Sequence, residues 1–551
     1  MSIRHRHRLV AVACALAAVA PVAAAQRPVA PDALPGHVDR IFASFNRQDS
    51  PGCAVGIGRD GREIYNRGYG SANLEYGVPI TPASIFESGS VAKQFTASAI
   101  VLLAQDGKLS LDDDIRRYLP EVPDFGDTIR IRHLLTHTSG LRDQWELLGI
   151  EGLGPGTQVH SPATTLDLVA HQKALNFPPG TEYSYSNTGY SLLGVIIQRV
   201  SGQSLEAFTQ ARLFQPLGMT HTRWRDDFTA VVKGRTTAYS GTALRGFHSD
   251  MPFTNMIGNG GLLTTVGDLL LWNENFFNPR LGGRAYVDAM ETRFVLRSGR
   301  RISYALGLEV GSYDGAAEVS HSGSTAGYRT FLARYPDQHV SIAVLCNLAS
   351  ANPVALGHHV ADLMLPKQAA AQSGAPAVNL TTDQLEQWAG TYADPRTDRA
   401  LRLGVREGKL VNDAGPSGEL EPLSPTTFRL TRGLDVQFSG TSPARRALVI
   451  RTDADSSLLE EVHASPMTAG RLGDYVGTYN GDELDVQLVV AVKGDQLVLR
   501  RRPADEMPMR LVYDDDFATP IGSLRFTRDA SGRVTGFGIF AGRIRNVRFA
   551  R

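Results

Sequence analysis

The alternation of apolar and polar positions after residue 50 predicts a β-hairpin followed by a buried helix. Residues 53–59 and 63–68 are strand-like, and Asp60-Gly61 between them is typical of a tight hairpin turn. Residues 91–106 are apolar on nearly every side, which predicts a helix surrounded by other elements. Gly107 follows it, where a left-handed cap is needed.

Later segments extend this unit. Thr265, with Asp268 three residues on, resembles the capping box that begins a helix. Strands are predicted at 328–335 and 340–346, and a helix near 353–364. Residues 31–366 are therefore predicted to form one mixed α/β (α+β) domain.

The rest of the chain is strand-rich and contains a repeat. A linker rich in Ala, Gly, Ser and Pro is predicted at 367–378. The stretch Leu385-Glu386-Gln387-Trp388-Ala389-Gly390-Thr391-Tyr392 is matched 87 residues later by Leu472-Gly473-Asp474-Tyr475-Val476-Gly477-Thr478-Tyr479. Each copy holds short alternating runs separated by turn residues. We predict two antiparallel, lipocalin-like β-barrels at 379–466 and 467–551, because barrel closure removes exposed strand edges.

The N-terminus has the three parts of a secretory signal. Arg4, Arg6 and Arg8 precede an apolar run at 9–22, and three alanines follow at 23–25. The run is too short and too rich in Ala for a good membrane span. We therefore predict a signal peptide at 1–25, a periplasmic or secreted protein, and no stable membrane insertion after cleavage.

Composition narrows the function. The 551 residues are 42% hydrophobic and 20% charged with a formal net charge of +0, which fits a folded protein and gives no reason to expect nucleic-acid binding. No Cys/His cluster has zinc spacing, so neither a metal nor a cofactor is predicted. Cys53 and Cys346 lie in strand-like runs; export would permit a disulfide, but buried free thiols are the default prediction.

Three short motifs carry candidate chemistry. In Ser90-Val91-Ala92-Lys93 the three-residue step places both functional side chains on one helix face, where a desolvated lysine can accept the serine proton. Tyr185-Ser186-Asn187 offers a phenol for proton transfer and an amide for hydrogen bonding. In His321-Ser322-Gly323 the glycine leaves room for substrate, and the amides of Ser324 and Ser90 could form an oxyanion hole.

Taken together and in this order, the motifs resemble the penicillin-recognising serine hydrolases: class C β-lactamases, DD-peptidases, D-aminopeptidases and related esterases. The segment His133-Leu134-Leu135-Thr136-His137-Thr138-Ser139-Gly140, the stretch from Pro179 to Asn187 and Gly260-Gly261-Leu262 are also similar to that family. The resemblance spans about residues 35–365. It implies a β-lactamase/transpeptidase-like catalytic domain with Ser90, Lys93 and Tyr185 as the catalytic set. The general base could be Lys93 or Tyr185, while structural roles are predicted for His133 and His137.

The resemblance also narrows the substrate. Most β-lactamases and DD-peptidases of this family carry a lysine where this chain has His321, and a largely neutral histidine attracts a carboxylate less. His-x-Gly and two C-terminal barrels resemble D-aminopeptidase. There a loop of the last barrel enters the active site, so Asp514-Asp515-Asp516 is a candidate for binding a substrate ammonium, although a solvated acidic turn is the favoured interpretation.

We therefore expect a serine hydrolase that cleaves amide or peptide bonds through an acyl-enzyme, acting on a small molecule or short peptide. A D-stereospecific aminopeptidase is the leading form. An esterase comes next, then a β-lactamase or DD-carboxypeptidase, and last a binding module without turnover. A homodimer is possible. Asn187, His321, Gly323 and Ser324 are predicted to contact substrate.

Overall fold

The computed structural model describes residues 32–366, 378–413, 418–431, 434–441, 444–451, 456–465, 467–502 and 505–551. The predicted signal peptide (1–25) lies outside these residues, as does the predicted linker apart from its last residue. The helices are α1 Leu34–Ile41, α2 Lys93–Gln105, α3 Ile131–Leu135, α4 Gln144–Glu151, α5 Pro162–His171, α6 Asn187–Ser201, α7 Leu205–Thr209, α8 Gln215–Leu217, α9 Val266–Phe277, α10 Gly283–Glu291, α11 Pro353–Met364, α12 Thr382–Glu386 and α13 Ala469–Tyr475.

The strands fall into three groups in chain order: those of the catalytic domain, those of the first barrel and those of the second barrel. The first group is β1 Cys53–Arg59, β2 Arg62–Tyr69, β3 Ser71–Asn73, β4 Val78–Pro79, β5 Phe86–Glu87, β6 Arg223–Trp224, β7 Tyr239–Thr242, β8 Gly246–Ser249, β9 Leu262–Thr264, β10 Glu309–Tyr313, β11 Ala316–Thr325, β12 Tyr328–Tyr335 and β13 Val340–Cys346. The second is β14 Gly390–Ala393, β15 Ala400–Arg406, β16 Lys409–Asn412, β17 Glu419–Pro422, β18 Thr427–Thr431, β19 Leu434–Ser439, β20 Arg446–Arg451 and β21 Ser456–Val462. The third is β22 Gly477–Gly481, β23 Gln487–Lys493, β24 Gln496–Arg502, β25 Asp505–Tyr513, β26 Asp516–Thr519, β27 Gly522–Arg528, β28 Val534–Ala541 and β29 Ile544–Ala550.

The main sheet of the catalytic domain has six antiparallel strands in the order β10-β11-β12-β13-β1-β2. β1 pairs with β13, so the first and last strands of this sheet in chain order lie side by side within it, although Cys53 and Cys346 are 293 residues apart in sequence. Their register places Cys53 opposite Cys346, and the two form a disulfide. The disulfide therefore ties both ends of the domain together at one point.

The helix predicted at 91–106 is a 3₁₀ turn, Gly89–Ala92, that continues into α2. The side chains of α2 are buried from Lys93 to Leu103, as the all-round apolar pattern predicts. This burial matters because it removes water from around Lys93, the first residue of the helix.

The predicted capping box at Thr265 is half right. The Thr265 hydroxyl accepts the N–H of Asp268 at 3.2 Å and begins α9. The carboxylate of Asp268 does not reach back to Thr265; it accepts the N–H of His221 and the hydroxyl of Thr222 instead. Asp268 thus joins α9 to the loop before β6.

The C-terminal residues form two closed antiparallel barrels of eight strands, β14–β21 and β22–β29. The sequence repeat is visible as a repeated contact. The Tyr392 hydroxyl donates to the Trp388 carbonyl at 3.0 Å, and the Tyr479 hydroxyl donates to the Tyr475 carbonyl at 2.7 Å. The two barrels therefore share one topology. The predicted domain boundaries stay predictions.

The second barrel is fastened to the catalytic domain beside α4. Leu147 and Leu148 of α4 belong to the same buried apolar cluster as the barrel residue Leu488. Arg142 forms a fully buried ion pair with Glu483 and donates to the carbonyls of Arg545 and Asn546. Arg545 also pairs with Glu182 at 3.0 Å. These contacts hold the β28–β29 turn against the catalytic domain.

The acidic cluster Asp514-Asp515-Asp516 does not line the substrate cleft, and of its members Asp514 is exposed to solvent and Asp516 is buried. Asp514 pairs with Arg471 at 3.0 Å and Asp515 with Arg528 at 2.9 Å, both within or next to the second barrel. Asp516 is buried beside Asp398 of the first barrel, and burial raises the pKa of its carboxyl to about 9. The expectation that this cluster contacts a substrate ammonium is not supported, because its members stabilise the barrels.

Within the described ranges, none of the helices has both the length and the apolar character needed to cross a bilayer.

Candidate active site

A cleft of about 750 Å³ lies between the β11 edge, the start of α2 and the tip of the second barrel. It is lined by the predicted residues Ser90, Tyr185, Asn187, His321, Gly323 and Ser324. Lys93 lies directly beneath, fully buried. The fold therefore brings all three sequence motifs to one place.

Lys93 is held by three oxygens. Its Nζ lies 3.1 Å from the Ser90 hydroxyl, 2.9 Å from Asn187 Oδ1 and 2.7 Å from the Asn259 carbonyl. Burial lowers the pKa of Lys93 well below its usual value; the charge of Asp143 opposes this and that of Arg543 adds to it. The amine is thus biased towards its neutral form.

A neutral amine has two N–H bonds and one lone pair. Asn187 Oδ1 and the Asn259 carbonyl can only accept hydrogen bonds, so they take the two N–H donors. The lone pair of Lys93 is then left for the third neighbour, the hydroxyl of Ser90. The arrangement suits transfer of the Ser90 proton to Lys93.

The orientation of Asn187 is fixed by Asp143, which the sequence analysis did not single out. One carboxylate oxygen of Asp143 accepts both the backbone N–H of Asn187, at 2.7 Å, and its side-chain amide, at 2.9 Å. Because a carboxylate only accepts, the amide nitrogen must face Asp143 and the amide oxygen must face Lys93. The other oxygen of Asp143 caps α4 through the N–H of Trp145.

Tyr185 stands over Lys93 in an aromatic cluster. Lys93 Nζ lies 4.9 Å from the centroid of the Tyr185 ring. The centroids of the His137 and Tyr185 rings are 4.1 Å apart. Burial raises the pKa of Tyr185, while its contact with the Ser90 hydroxyl opposes the increase. Tyr185 therefore remains a phenol at neutral pH and can donate a proton.

The two histidines of the family-like segment from His133 to Gly140 make structural contacts. His137, buried and left-handed in backbone conformation, accepts the N–H of Ser186 at 3.1 Å and so shapes the Tyr185 loop. His133 accepts the N–H of Arg130 at 3.2 Å at the start of α3. Neither ring reaches Ser90 by a hydrogen bond.

His321 is buried and neutral. Its Nδ1 lies 2.6 Å from the Ser322 carbonyl, which can only accept, so this nitrogen carries the proton. Nε2 therefore accepts the Tyr304 hydroxyl, 2.9 Å away. Burial and the neighbouring Lys93 lower the pKa of His321 to about 4. The expected neutrality is present, but both ring nitrogens are already used, so His321 has no donor left for substrate.

Gly323 and Gly89 allow the β11 edge to touch the nucleophile turn. A Cβ on Gly323 would lie 2.1 Å from the Ser88 carbonyl and 3.0 Å from the Ser90 nitrogen; one on Gly89 would lie 2.6 Å from the Ser324 nitrogen. No side chain fits in either place. The amides of Ser90 and Ser324 are thereby brought to the same corner of the cleft.

Several charged residues line the cleft without having been predicted, and two of them, Glu309 and Arg543, have no ionic partner within hydrogen-bond distance among the described residues. Glu309 begins β10, and Arg543 lies in the β28–β29 turn. Neither has a sequence signal, because each depends on which loop the fold delivers to the cleft. Asp143 could have been noticed only as a possible helix cap before α4.

Comparison with known proteins agrees with this geometry. The Beta-lactamase family model matches residues 38–404. A D-aminopeptidase from Brucella canis (strain ATCC 23365 / NCTC 10854 / RM-666) is 25% identical over 534 residues, covering 93% of this chain and 98% of that protein. A D-aminopeptidase from Brucella anthropi is 27% identical over 526 residues, covering 91% and 95% respectively.

A solved structure has a similar fold. The structure of the octameric penicillin-binding protein homologue from Pyrococcus abyssi is 25% identical, with a TM-score of 0.55, and covers 78% of this chain and 99% of its own. The family model spans well over half of the 551 residues, including every motif in the cleft. The chain therefore belongs to the Beta-lactamase family and is a serine hydrolase.

Proposed function

We propose that the protein hydrolyses an amide bond on the carboxyl side of a D-residue in a small substrate, through an acyl-enzyme on Ser90. The observation that carries this proposal is the buried Lys93, whose Nζ lies 3.1 Å from the Ser90 hydroxyl and is held there by two further oxygens. A serine beside such an amine is activated for attack on a carbonyl carbon.

In the first half of the reaction, Lys93 takes the proton of Ser90, and the serine oxygen bonds to the carbonyl carbon of the substrate. The amides of Ser90 and Ser324 stabilise the negative oxygen that forms. The carbon–nitrogen bond then breaks as Tyr185 donates its proton to the leaving amine and is reprotonated by Lys93. Water attacks the resulting ester, which releases the acid and restores the Ser90 hydroxyl.

The D-residue part of the proposal rests on the relatives, two of which are named D-aminopeptidase and align over nearly all of their length. A free amino group on the substrate needs an anionic partner. Glu309 is suited to this role, since its carboxylate lines the cleft and has no hydrogen bond or ion pair among the described residues. Its charge also acts on Tyr185, raising the pKa of that phenol.

An esterase on the same machinery is the second candidate, because Ser90 and Lys93 would attack an ester in the same way. A β-lactamase or DD-carboxypeptidase is less favoured. The neutral His321 replaces the cation that such enzymes place there, and the low pKa of its ring keeps it neutral at physiological pH.

We also propose export to the periplasm or medium after removal of residues 1–25. The three arginines, the apolar run and the alanines support this, and the Cys53–Cys346 disulfide is of the kind that persists in oxidising compartments. N-terminal sequencing of the protein from a periplasmic fraction tests it: a mature chain starting near residue 26 is expected.

The homodimer stays a prediction, for which light scattering is the test.

The decisive experiment for the reaction compares D-Ala-p-nitroanilide with L-Ala-p-nitroanilide and with N-acetyl-D-Ala-p-nitroanilide. We expect turnover of the free-amine D-compound and at least about 100-fold lower kcat/KM for the other two, a difference of about 2.7 kcal/mol. Brisk hydrolysis of p-nitrophenyl esters with no anilide turnover would instead establish the esterase. Nitrocefin turnover at the level of a dedicated β-lactamase would contradict the inference from His321.

A further inference from the structure

Three arginines line the cleft, and the side chains of two of them donate hydrogen bonds within the protein. Arg225 forms a two-pronged ion pair with Glu87 and donates to the Thr254 carbonyl. Arg329 donates to the carbonyls of Ala326 and Tyr328. The side chain of Arg543 makes no hydrogen bond with any residue that the structure describes, and it is 41% exposed. Its donors are therefore available to a ligand.

The backbone around Arg543 is held firmly. Asn176 donates its side-chain amide to the Arg543 carbonyl at 2.9 Å and accepts the N–H of Arg545 at 2.9 Å. The turn thus has a fixed position against the catalytic domain while the guanidinium points into the cleft. Such fixed placement lowers the entropic cost of ligand binding.

The guanidinium of Arg543 lies beside the catalytic groups. Its central carbon is 5.0 Å from the centroid of the Tyr185 ring, and its nearest nitrogen is 3.7 Å from Asp143, which is too far for a hydrogen bond. Asp143 already accepts three N–H groups, from Trp145 and Asn187. Asp143 offsets part of the charge of Arg543 without occupying its donors.

We propose that Arg543 binds a carboxylate carried by the substrate, so that the second barrel supplies the cation that the His321 strand lacks. A guanidinium matches a carboxylate with two parallel hydrogen bonds, and such charged contacts are stronger in a cleft than in water. This proposal rests on the proposed function and adds to it a preference for substrates that carry a negative charge near the scissile bond.

The carboxylate can belong to either product. On the acyl side it would be an acidic side chain, which is tested by D-Glu-p-nitroanilide against D-Gln-p-nitroanilide. On the leaving group it would be the C-terminus, which is tested by D-Ala-D-Ala against D-Ala-D-Ala-amide. In each pair a carboxylate is replaced by a carboxamide of similar shape, so the ratio of the two kcat/KM values for cleavage of the same bond reports recognition of the carboxylate.

We expect the native protein to prefer the carboxylate member of one pair by at least about tenfold, and Arg543→Gln to abolish that preference. Using a ratio removes any general effect of the substitution on Tyr185 or Asp143. Arg533→Gln is the matched control, since Arg533 is an exposed arginine of the same barrel paired only with Asp529 among described residues. It should keep the native ratio.

Measuring binding without turnover distinguishes failure of the proposed function from failure of the Arg543 proposal. If no anilide or dipeptide is hydrolysed, the same four compounds are titrated calorimetrically into Ser90→Ala and into Ser90→Ala/Arg543→Gln. A carboxylate preference that disappears with Arg543 supports the inference even then. Absence of any preference in the native ratio and in the Ser90→Ala titration, or a preference that survives Arg543→Gln, overturns it.

Discussion

Asp143 and Asn187 are joined by two hydrogen bonds to a single carboxylate oxygen, at 2.7 and 2.9 Å. This contact turns the Asn187 oxygen towards Lys93 and places a negative charge near the same amine. Asp143 is therefore a positioning residue: it touches neither Ser90 nor the reacting carbonyl, and it acts through Asn187 and Lys93.

Asp143→Asn should lower kcat by about 10- to 100-fold with a smaller change in KM, since chemistry rather than binding is disturbed. It should also move the acid limb of the kcat/KM profile to lower pH. The sign follows from the charge: Asp143 raises the pKa of Lys93, so its removal lowers that pKa and leaves the neutral base present at lower pH. Asparagine can still cap α4, which separates this effect from loss of fold.

A pH–rate profile of the native and Asp143→Asn proteins, with the thermal midpoint of each, makes the measurement. An acid limb that stays in place while kcat falls would show that Asp143 only orients Asn187. A purely structural role would lower the midpoint and leave the shape of the profile unchanged.

Ser90→Ala should abolish turnover and keep the fold, and Lys93→Ala should be about as damaging, because nucleophile and base act as one unit. Steady-state rates on the preferred anilide, with circular dichroism of each variant, provide the measurement. Residual activity above about 1% in Ser90→Ala would contradict the assignment of Ser90 as the nucleophile. Lys93→Ala also removes a buried amine with three oxygen partners, so the thermal stability of this variant must be measured together with its activity.

The catalytic motifs could be found from the sequence because their chemistry depends on short spacings. Ser90 and Lys93 are three residues apart, and Tyr185 and Asn187 are two apart, so local geometry nearly defines each pair. The repeat of Trp388 at Tyr475 likewise predicted two barrels, since both positions fill equivalent places in a barrel.

The residues that were missed or misplaced depend on tertiary contacts. Arg543 reaches the cleft only because Arg142 and the apolar face of α4 fasten the second barrel there. Asp514, Asp515 and Asp516 could not be placed for the same reason, because their neighbours Arg471, Arg528 and Asp398 are brought to them by barrel closure and by the packing of the two barrels. Similarly, the partners of His321 are set by where Tyr304 lies.

Gly323→Ala should reduce kcat/KM by more than about 100-fold, because its Cβ would overlap the Ser88 carbonyl and push the β11 edge away from Ser90. Gly311→Ala in the neighbouring strand is the control, since nothing lies within 4 Å of its added Cβ. Activity assays and thermal unfolding of both variants test this. Near-native activity in Gly323→Ala would show that Ser324 does not need to approach Ser90.

Glu309→Gln should raise KM for free-amine D-anilides by about tenfold and change N-acetylated analogues little, because only the ammonium loses its ionic partner. The same variant has a second consequence: Glu309 raises the pKa of Tyr185, so its removal lowers that pKa. The basic limb of the profile should therefore shift slightly to lower pH. Equal losses for free and acetylated substrates would assign Glu309 a structural role.

Arg142→Ala should destabilise the protein by about 3–5 kcal/mol, because it leaves Glu483 buried without its cation. The matched variant Arg142→Met/Glu483→Leu removes both charges and should recover most of that loss. Because the pair helps to hold the β28–β29 turn, Arg142→Ala should also loosen Arg543 and reduce any carboxylate preference in the D-Ala-D-Ala comparison. Thermal unfolding and the kcat/KM ratio of the two variants measure both effects. If the single variant unfolds while the double variant is stable and keeps the preference, the apolar face of α4 alone suffices to place the barrel.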